Sequence, residues 1–348
     1  MKHVRKVIFL GWIKAGSVAS DGESVKNRIA IDRLRELGVK CYLVDTFYWK
    51  EHKLRSLALP LLMLLHPKAT LIFSSSAKNI YPLMSILRFC PWPQRLIHWV
   101  IGGVFPVHVR NGRFKVRILN RADWTLVESG KMVDELTELG VKNVLRVPNF
   151  KPVPIVEKGK GKVSDVFRFV FLSRIMAEKG CGYILDSASS LNSLGLEKRF
   201  TITFYGSVDE VYKSDFFSRI KNLPNVSYGG FLDLTGPAGY DELSEFDVML
   251  FPTYWIGEGF AGVFIDAFIA GLPIIATDWS RNKEILTEGE TALFVPAHDV
   301  KTLTEVMMRC IEGKYDLERM SKCCRLEAGK YDPHNVITEE LLNKLGVA

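Results

Sequence analysis

The chain has 348 residues, 47% of them hydrophobic and 24% charged, with a formal net charge of +7. That length and apolar content can bury a large core and favour two domains, and they exclude disordered and fibrous classes. Six cysteines (Cys41, Cys90, Cys181, Cys310, Cys323 and Cys324) form no C-x-x-C pair and have no His-x-x-x-His partner. A zinc site and a disulfide framework are therefore unsupported, and a reducing compartment is expected.

The start, MKHVRKVIFLGWIKAGSVAS, has the basic head, apolar run and small residues of a secretory signal. Its apolar run, Val7 to Ile13, is short and is closed by Lys14, so it reads as a first buried strand. Runs of strand type, KVIFLGW, VKCYLVD, TLIFSS, RLIHWVI, DWTLVES and NVLRVPN, then alternate with helix-period stretches such as GESVKNRIAIDRLREL and KMVDELTEL. This alternation predicts βα units around a parallel sheet over residues 1–150.

Charge within this half is uneven. Between Lys50 and Arg121, twelve Lys or Arg residues stand against one acid, Glu51, a local net of +11 that leaves −4 for the rest of the chain. The segment also holds the longest apolar candidate, LALPLLMLL from Leu57, which contains Pro60 and is half the ~18 residues a spanning helix needs.

Residues 151–165, KPVPIVEKGKGKVSD, are rich in Pro, Gly and Lys and lack periodicity, which predicts an interdomain linker. A second series comes after it: FRFVFLS, RFTITFYG, NVSYGG, DVMLFP, PIIATD and TALFV. It predicts a second doubly wound domain over 166–330. The tail from Tyr315 reads as helix, broken at YDPHN and resumed in VITEELLNKLG. Ligands of open parallel sheets sit beyond the carboxyl ends of the strands, so two such domains facing each other make a cleft.

No G-x-G-x-x-G follows the first strand and no Walker loop occurs, which argues against nicotinamide and P-loop nucleotide chemistry. The candidate anion cradle is FPTYWIGEGFAGVFIDAF: a strand ending near Pro252, a loop with Gly257 and Gly259, and a helix starting near Phe260. Bare N–H groups and the positive dipole end make such a helix start an anion site. FLSRIMAEKG places Arg174 and Lys179 after the first strand of the same domain, where two cations can grip a diphosphate.

These segments, with FYG, VSYGGF, EGFAGVFIDAFIAGLPIIATD and GETALFVP, resemble the nucleotide-sugar domain of retaining glycosyltransferases of the GT-B fold, family four. The resemblance is specific over 171–296; in the first half only the architecture, RADWTLVESGKM and the VPNF exit match. It implies an α/β, GT-B chain of two doubly wound Rossmann-like domains, the first on the acceptor side, with a C-terminal helix in 331–348 packing back on that domain. By position Glu258 holds hydroxyls of the transferred sugar, and Arg174 and Lys179 hold the diphosphate. Backbone groups of Gly259, Phe260 and Ala261 complete the cradle, while Gly230 and Phe231 take the base. Asp266 stands where the family's second Glu holds the ribose; being one methylene shorter, it loses that contact or moves the nucleotide by about an ångström.

The physical chemistry agrees with that assignment. Breaking the anomeric bond to diphosphate builds negative charge on the leaving oxygen and oxocarbenium character on the sugar ring. The chain has no D-x-D, so no metal is expected and the protein's own cations serve as the clamp. Nor is a cofactor expected beyond a UDP- or GDP-sugar used as donor substrate. In the family the leaving phosphate is thought to help deprotonate the acceptor in a front-face substitution, so Glu258 is not assigned as a nucleophile.

In the first domain His98, in RLIHWVIGGVFP, is expected at a strand's end, where relatives carry a His lining the reaction centre. The loop GWIKAGSVASDGES brings Gly16, Gly22 and Ser24 toward the sugar phosphate. A lone His or a loop Gly is as well explained by structure. The basic segment 50–121 is expected to rest on an anionic membrane surface, the alternative being a soluble basic surface over a buried helix.

The reading is thus a cytoplasmic, retaining, metal-independent hexosyltransferase, peripheral at the inner face of the membrane. Its acceptor is a saccharide, lipid-linked, in surface polysaccharide or glycolipid synthesis. No nucleic-acid partner is expected, for want of a recognised motif. The alternatives are a nucleotide-sugar 2-epimerase and a non-catalytic GT-B binding subunit.

Overall fold

Twelve short apolar runs become twelve strands in the computed structural model, which describes residues 5–16, 21–49, 52–87, 94–155 and 166–347. The first six are β1 Lys6–Gly11, β2 Lys40–Asp45, β3 Thr70–Ser75, β4 Leu96–Val100, β5 Trp124–Val127 and β6 Val144–Arg146. They form a six-stranded sheet in the order β2-β1-β3-β4-β5-β6. All its pairings are parallel, with Phe9 opposite both Leu43 and Ile72. Parallel pairing follows from the helices that carry the chain back between strands and cover both faces.

The next six are β7 Phe167–Leu172, β8 Phe200–Tyr205, β9 Val226–Gly230, β10 Val248–Phe251, β11 Ile274–Thr277 and β12 Ala292–Val295. Their sheet, in the order β12-β11-β10-β7-β8-β9, is again parallel. Its core is rich in phenylalanine: Phe169, Phe171, Phe200, Phe204 and Phe216 are fully buried together.

The chain divides into two compact units, Met1–Pro152 with Tyr331–Ala348, and Val153–Lys330. Of the linker expected at 151–165, residues 156–165 lie outside the described residues. Helix Glu339–Leu345 starts at Thr338, whose hydroxyl accepts from Leu341 N, and ends at Gly346 in the left-handed region. Its apolar side chains Leu342 and Leu345 join Val336, Ile337 and Val347 against Val7, Phe9, Ile31 and Leu34 of the first unit. Arg33 Nε donates to Ile337 O at 3.1 Å, and Lys151 N to Tyr331 O at 3.1 Å.

Truncating Leu342, which is buried, removes methylenes from a packed site. Leu342→Ala is expected to cost the first unit about 2–5 kcal/mol. Hydrogen exchange reads this as lost amide protection in β1–β4 with β7–β11 unchanged; equal loss in both sheets would refute the assignment of the tail to the first unit.

Candidate active site

In the second unit two loops meet at the carboxyl ends of adjacent strands. After β7 the chain turns through Ala177–Lys179 into helix Cys181–Ser193, and after β10 it runs to helix Gly262–Ala270. The latter helix therefore starts two residues later than the sequence pattern suggests. Tyr254 N donates to Glu178 O at 2.9 Å, tying the loops together. Gly180 sits between them at φ +77°, where a Cβ would lie 2.1 Å from Pro252 O. Only glycine fits both the dihedral and the space.

Lys179 and Glu258 do not stand apart as separate ligand contacts. Lys179 Nζ meets Glu258 Oε2 at 2.6 Å, with the residues 7% and 4% exposed. Thr253 Oγ1 donates to the same carboxylate oxygen at 3.1 Å. The ammonium also lies 4.9 Å from the Trp255 ring centroid and 5.3 Å from that of Phe251. Lys179, expected as a loop cation, is thus a buried one, whereas Arg174 is exposed.

Behind Glu258 lies a residue that no sequence pattern singles out. Arg281 is buried, and its guanidinium reaches Glu258 O at 3.4 Å and Ser280 Oγ at 3.2 Å. Ser280 donates to the same carbonyl at 3.0 Å from a backbone at φ +54°, a left-handed conformation uncommon for serine. The available signal is a cation, Arg281, in the loop after β11; its partner, however, is 23 positions away.

Helix Gly262–Ala270 begins at Ala261 with no side-chain cap, and helix Cys181–Ser193 begins at Gly180 likewise. Helices Gly22–Glu36, Gly130–Glu138 and Val300–Ile311 are instead capped by Asp21, Ser129 and Asp299. Two positive dipole ends without side-chain caps thus flank Lys179 and Glu258, an arrangement suited to an anion. Gly259 and the buried Phe260 and Ala261 form the approach to the second of these helices.

Asp266, inside that helix, is buried and turns to a neighbouring helix: Tyr240 Oη donates to its Oδ1 at 2.9 Å. Burial, then the adjacent carboxylate, push the Tyr240 hydroxyl above the usual phenol range, so Tyr240 keeps its proton and is the donor. Gly230 ends β9 at φ +78°, and Phe231 beside it is exposed.

In the first unit the strand order reverses between β1 and β3, and ligands of open parallel sheets sit at the carboxyl ends beside such a point. Gly16 is exposed there, and residues 17–20 of its loop lie outside the described residues. Gly22 is the first residue of helix Gly22–Glu36. Ser24, expected near the sugar phosphate, is buried in the helix cap, its hydroxyl donating to Asp21 O and Oδ2. Glu23 occupies the crevice instead, accepting from Ser75 Oγ at 2.5 Å. Burial raises its carboxyl to about 7, against opposing hydrogen bonds from Ser75 and the backbones of Ser76 and Trp12.

His98 is corrected by the structure. It is the third of five residues in β4, not the last, and is 1% exposed with neither ring nitrogen hydrogen-bonded. Its ring packs edge-on against Phe105, and burial lowers it to about 4, so it is neutral near pH 7. Among the described residues, no group of three or more His, Cys, Asp or Glu is placed to hold a metal ion.

The fold defines a class. The chain has the GT-B fold. Over 99% of its length it superposes on the whole of Anabaena HepE in complex with UDP, with a TM-score of 0.74 and 14% identity. It also superposes over 98% of its length on 99% of sucrose-phosphate synthase from Thermosynechococcus elongatus, with a TM-score of 0.78 and 13% identity. Identities this low speak for the fold alone.

A family model described as Glycosyl transferases group 1 matches residues 166–313, which lie within the second unit. The chain is 25% identical over 186 residues to the capsular polysaccharide biosynthesis glycosyltransferase CapM of Staphylococcus aureus, covering 53% of this chain and 47% of that one. It is 28% identical over 169 residues to the 2-deoxystreptamine N-acetyl-D-glucosaminyltransferase of Niallia circulans, covering 48% and 42%. The chain thus spans less than half the length of these relatives.

Glu23 generates a pH dependence with a definite sign. Its folded value, about 7, lies above the ordinary 4.5, so the folded state keeps a proton that the unfolded state has lost. The stability this confers is full below about 4.5 and is lost as pH rises through about 7. Glu23→Gln is expected to gain roughly 1–3 kcal/mol on the wild type across that window. Denaturant unfolding at about pH 4.5 and about pH 8 measures it; a pH-independent difference would contradict the buried carboxyl.

Proposed function

We propose that the protein is a retaining, metal-independent glycosyltransferase of hexosyl type. It moves a sugar from a UDP- or GDP-sugar to a saccharide acceptor, lipid-linked, in surface polysaccharide synthesis. The observation that carries this reading is the buried Lys179–Glu258 pair set between two helix starts that lack side-chain caps. It is supported by the group 1 match over that same unit, by the UDP bound in HepE and by the capsular role named for CapM.

Three groups divide the work in this reading. The exposed guanidinium of Arg174 and the first N–H groups of helix Gly262–Ala270 receive the diphosphate. As the anomeric bond lengthens they stabilise the charge gathering on the leaving oxygen. Lys179 adds to that field and holds Glu258 in one orientation. Glu258 accepts from sugar hydroxyls through its remaining acceptor capacity, while Arg281 and Ser280 hold its backbone carbonyl. Its carboxylate is already shared with an ammonium and a threonine hydroxyl, which fits positioning better than nucleophilic attack. Asp266, bonded to Tyr240, meets the ribose only if the nucleotide approaches within reach of a side chain one methylene shorter than Glu.

The donor is identified by thermal shift against UDP, GDP and ADP and their common sugars. With the best donor alone, slow hydrolysis to the nucleoside diphosphate is expected; epimer formation would select the epimerase instead. Arg174→Ala is expected to lower turnover by about 100- to 1,000-fold, and unchanged turnover would refute its role. Glu258→Ala is expected to abolish transfer while circular dichroism remains native, and retained transfer would overturn the site.

A further inference from the structure

Helix Ala58–Leu65, ALPLLMLL, is apolar on every side, which is the pattern of a helix covered all round. It is covered on one side only. Leu59 and Met63 turn inward to Leu71, Phe73 and Ile80. Leu57, Leu61, Leu64 and Leu65 turn outward at 61%, 57%, 68% and 62% exposure, and Leu54 in the preceding turn is 81% exposed. On the same face of the sheet, helix Ala77–Leu87 adds Ile86, also exposed. Single exposed leucines are ordinary, but a row of five on consecutive turns calls for a partner.

Charge selects the partner. The row lies in the stretch with twelve cations and one acid, of which Arg55, Lys68 and Lys78 are exposed. A second copy of the chain would bring the same excess of cations against it, which opposes self-association through this face. A surface that is anionic outside and apolar beneath satisfies both halves. The helix rises only ~12 Å and cannot cross a bilayer of about 30 Å, and no helix among the described residues is long and apolar enough to do so.

We infer that helix Ala58–Leu65 is an interfacial anchor, its leucine row inserted among acyl chains and the flanking cations held at anionic headgroups. The arrangement is that of monotopic amphipathic segments, with the difference that the polar face is replaced by the protein's own core. The cations bring the protein to the surface and the leucines hold it there, so both ionic strength and side-chain size govern the partition.

Flotation of the full chain with vesicles of phosphatidylcholine, with and without phosphatidylglycerol, tests this. The wild type is expected to float with the anionic vesicles at low salt and to be released progressively by salt. A variant carrying Leu61→Ser, Leu64→Ser and Leu65→Ser is expected to lose at least about tenfold in partition with unchanged circular dichroism. Leu61→Lys, which adds a cation while removing a leucine, is expected to weaken capture and serves if the triple variant does not fold. Wild type left in the aqueous fraction, equal capture by neutral vesicles, stronger capture of Leu61→Lys, or a wild-type dimer that the triple variant disperses would each overturn the anchor. Capture is read without donor or acceptor, so it stands or falls separately from the transferase reading.

Discussion

The second unit is organised around one buried ion pair, Lys179–Glu258. Withdrawing two charges from water costs several kcal/mol per ion, and their attraction repays this only when the remaining polar valences are filled. Here Thr253 donates to the carboxylate, and aromatic faces of Trp255 and Phe251 lie against the ammonium. Such a pair adds little net stability. Its effect is on register: it fixes the turn after β7 against the loop after β10, where Gly180 lies under Pro252. In the proposed reaction an incoming diphosphate finds the cation already oriented, and part of the ordering cost of binding is met in the fold.

The strands were legible because parallel strands buried on both faces leave continuous apolar runs. Each run from KVIFLGW to TALFV contains one of the twelve strands. The tail was legible for a different reason, the Asp-Pro break before Pro333 and the Thr338 cap. What pattern does not carry is which way an odd residue faces. The resemblance placed His98 at a strand's end, although it is the middle residue of RLIHWVI as it is of β4, where its ring faces Phe105.

The sequence offered the candidate site as a list of residues and not as a set of contacts. Lys179 and Glu258 are 79 positions apart, and nothing local to either announces the other. Glu23 was invisible for the same reason: its partner Ser75 is 52 positions away, and a Glu in a helix's first turn is ordinary until the crevice around it is seen. In LALPLLMLL the sequence showed apolarity but not coverage. Helical period assigns residues to faces, and only the sheet beneath determines which face is buried.

The return of residues Tyr331–Ala348 to the first unit also sets an order for assembly on the ribosome. The second unit is one contiguous stretch, Val153–Lys330, and holds all the partners its sheet requires once it has emerged. The first unit emerges earlier, but the core around Val7, Phe9 and Ile31 lacks Ile337, Leu342 and Leu345 until the whole of the second unit has been made. Domains of nascent chains usually mature from the N-terminus onward; in this chain the half made first is the half completed last.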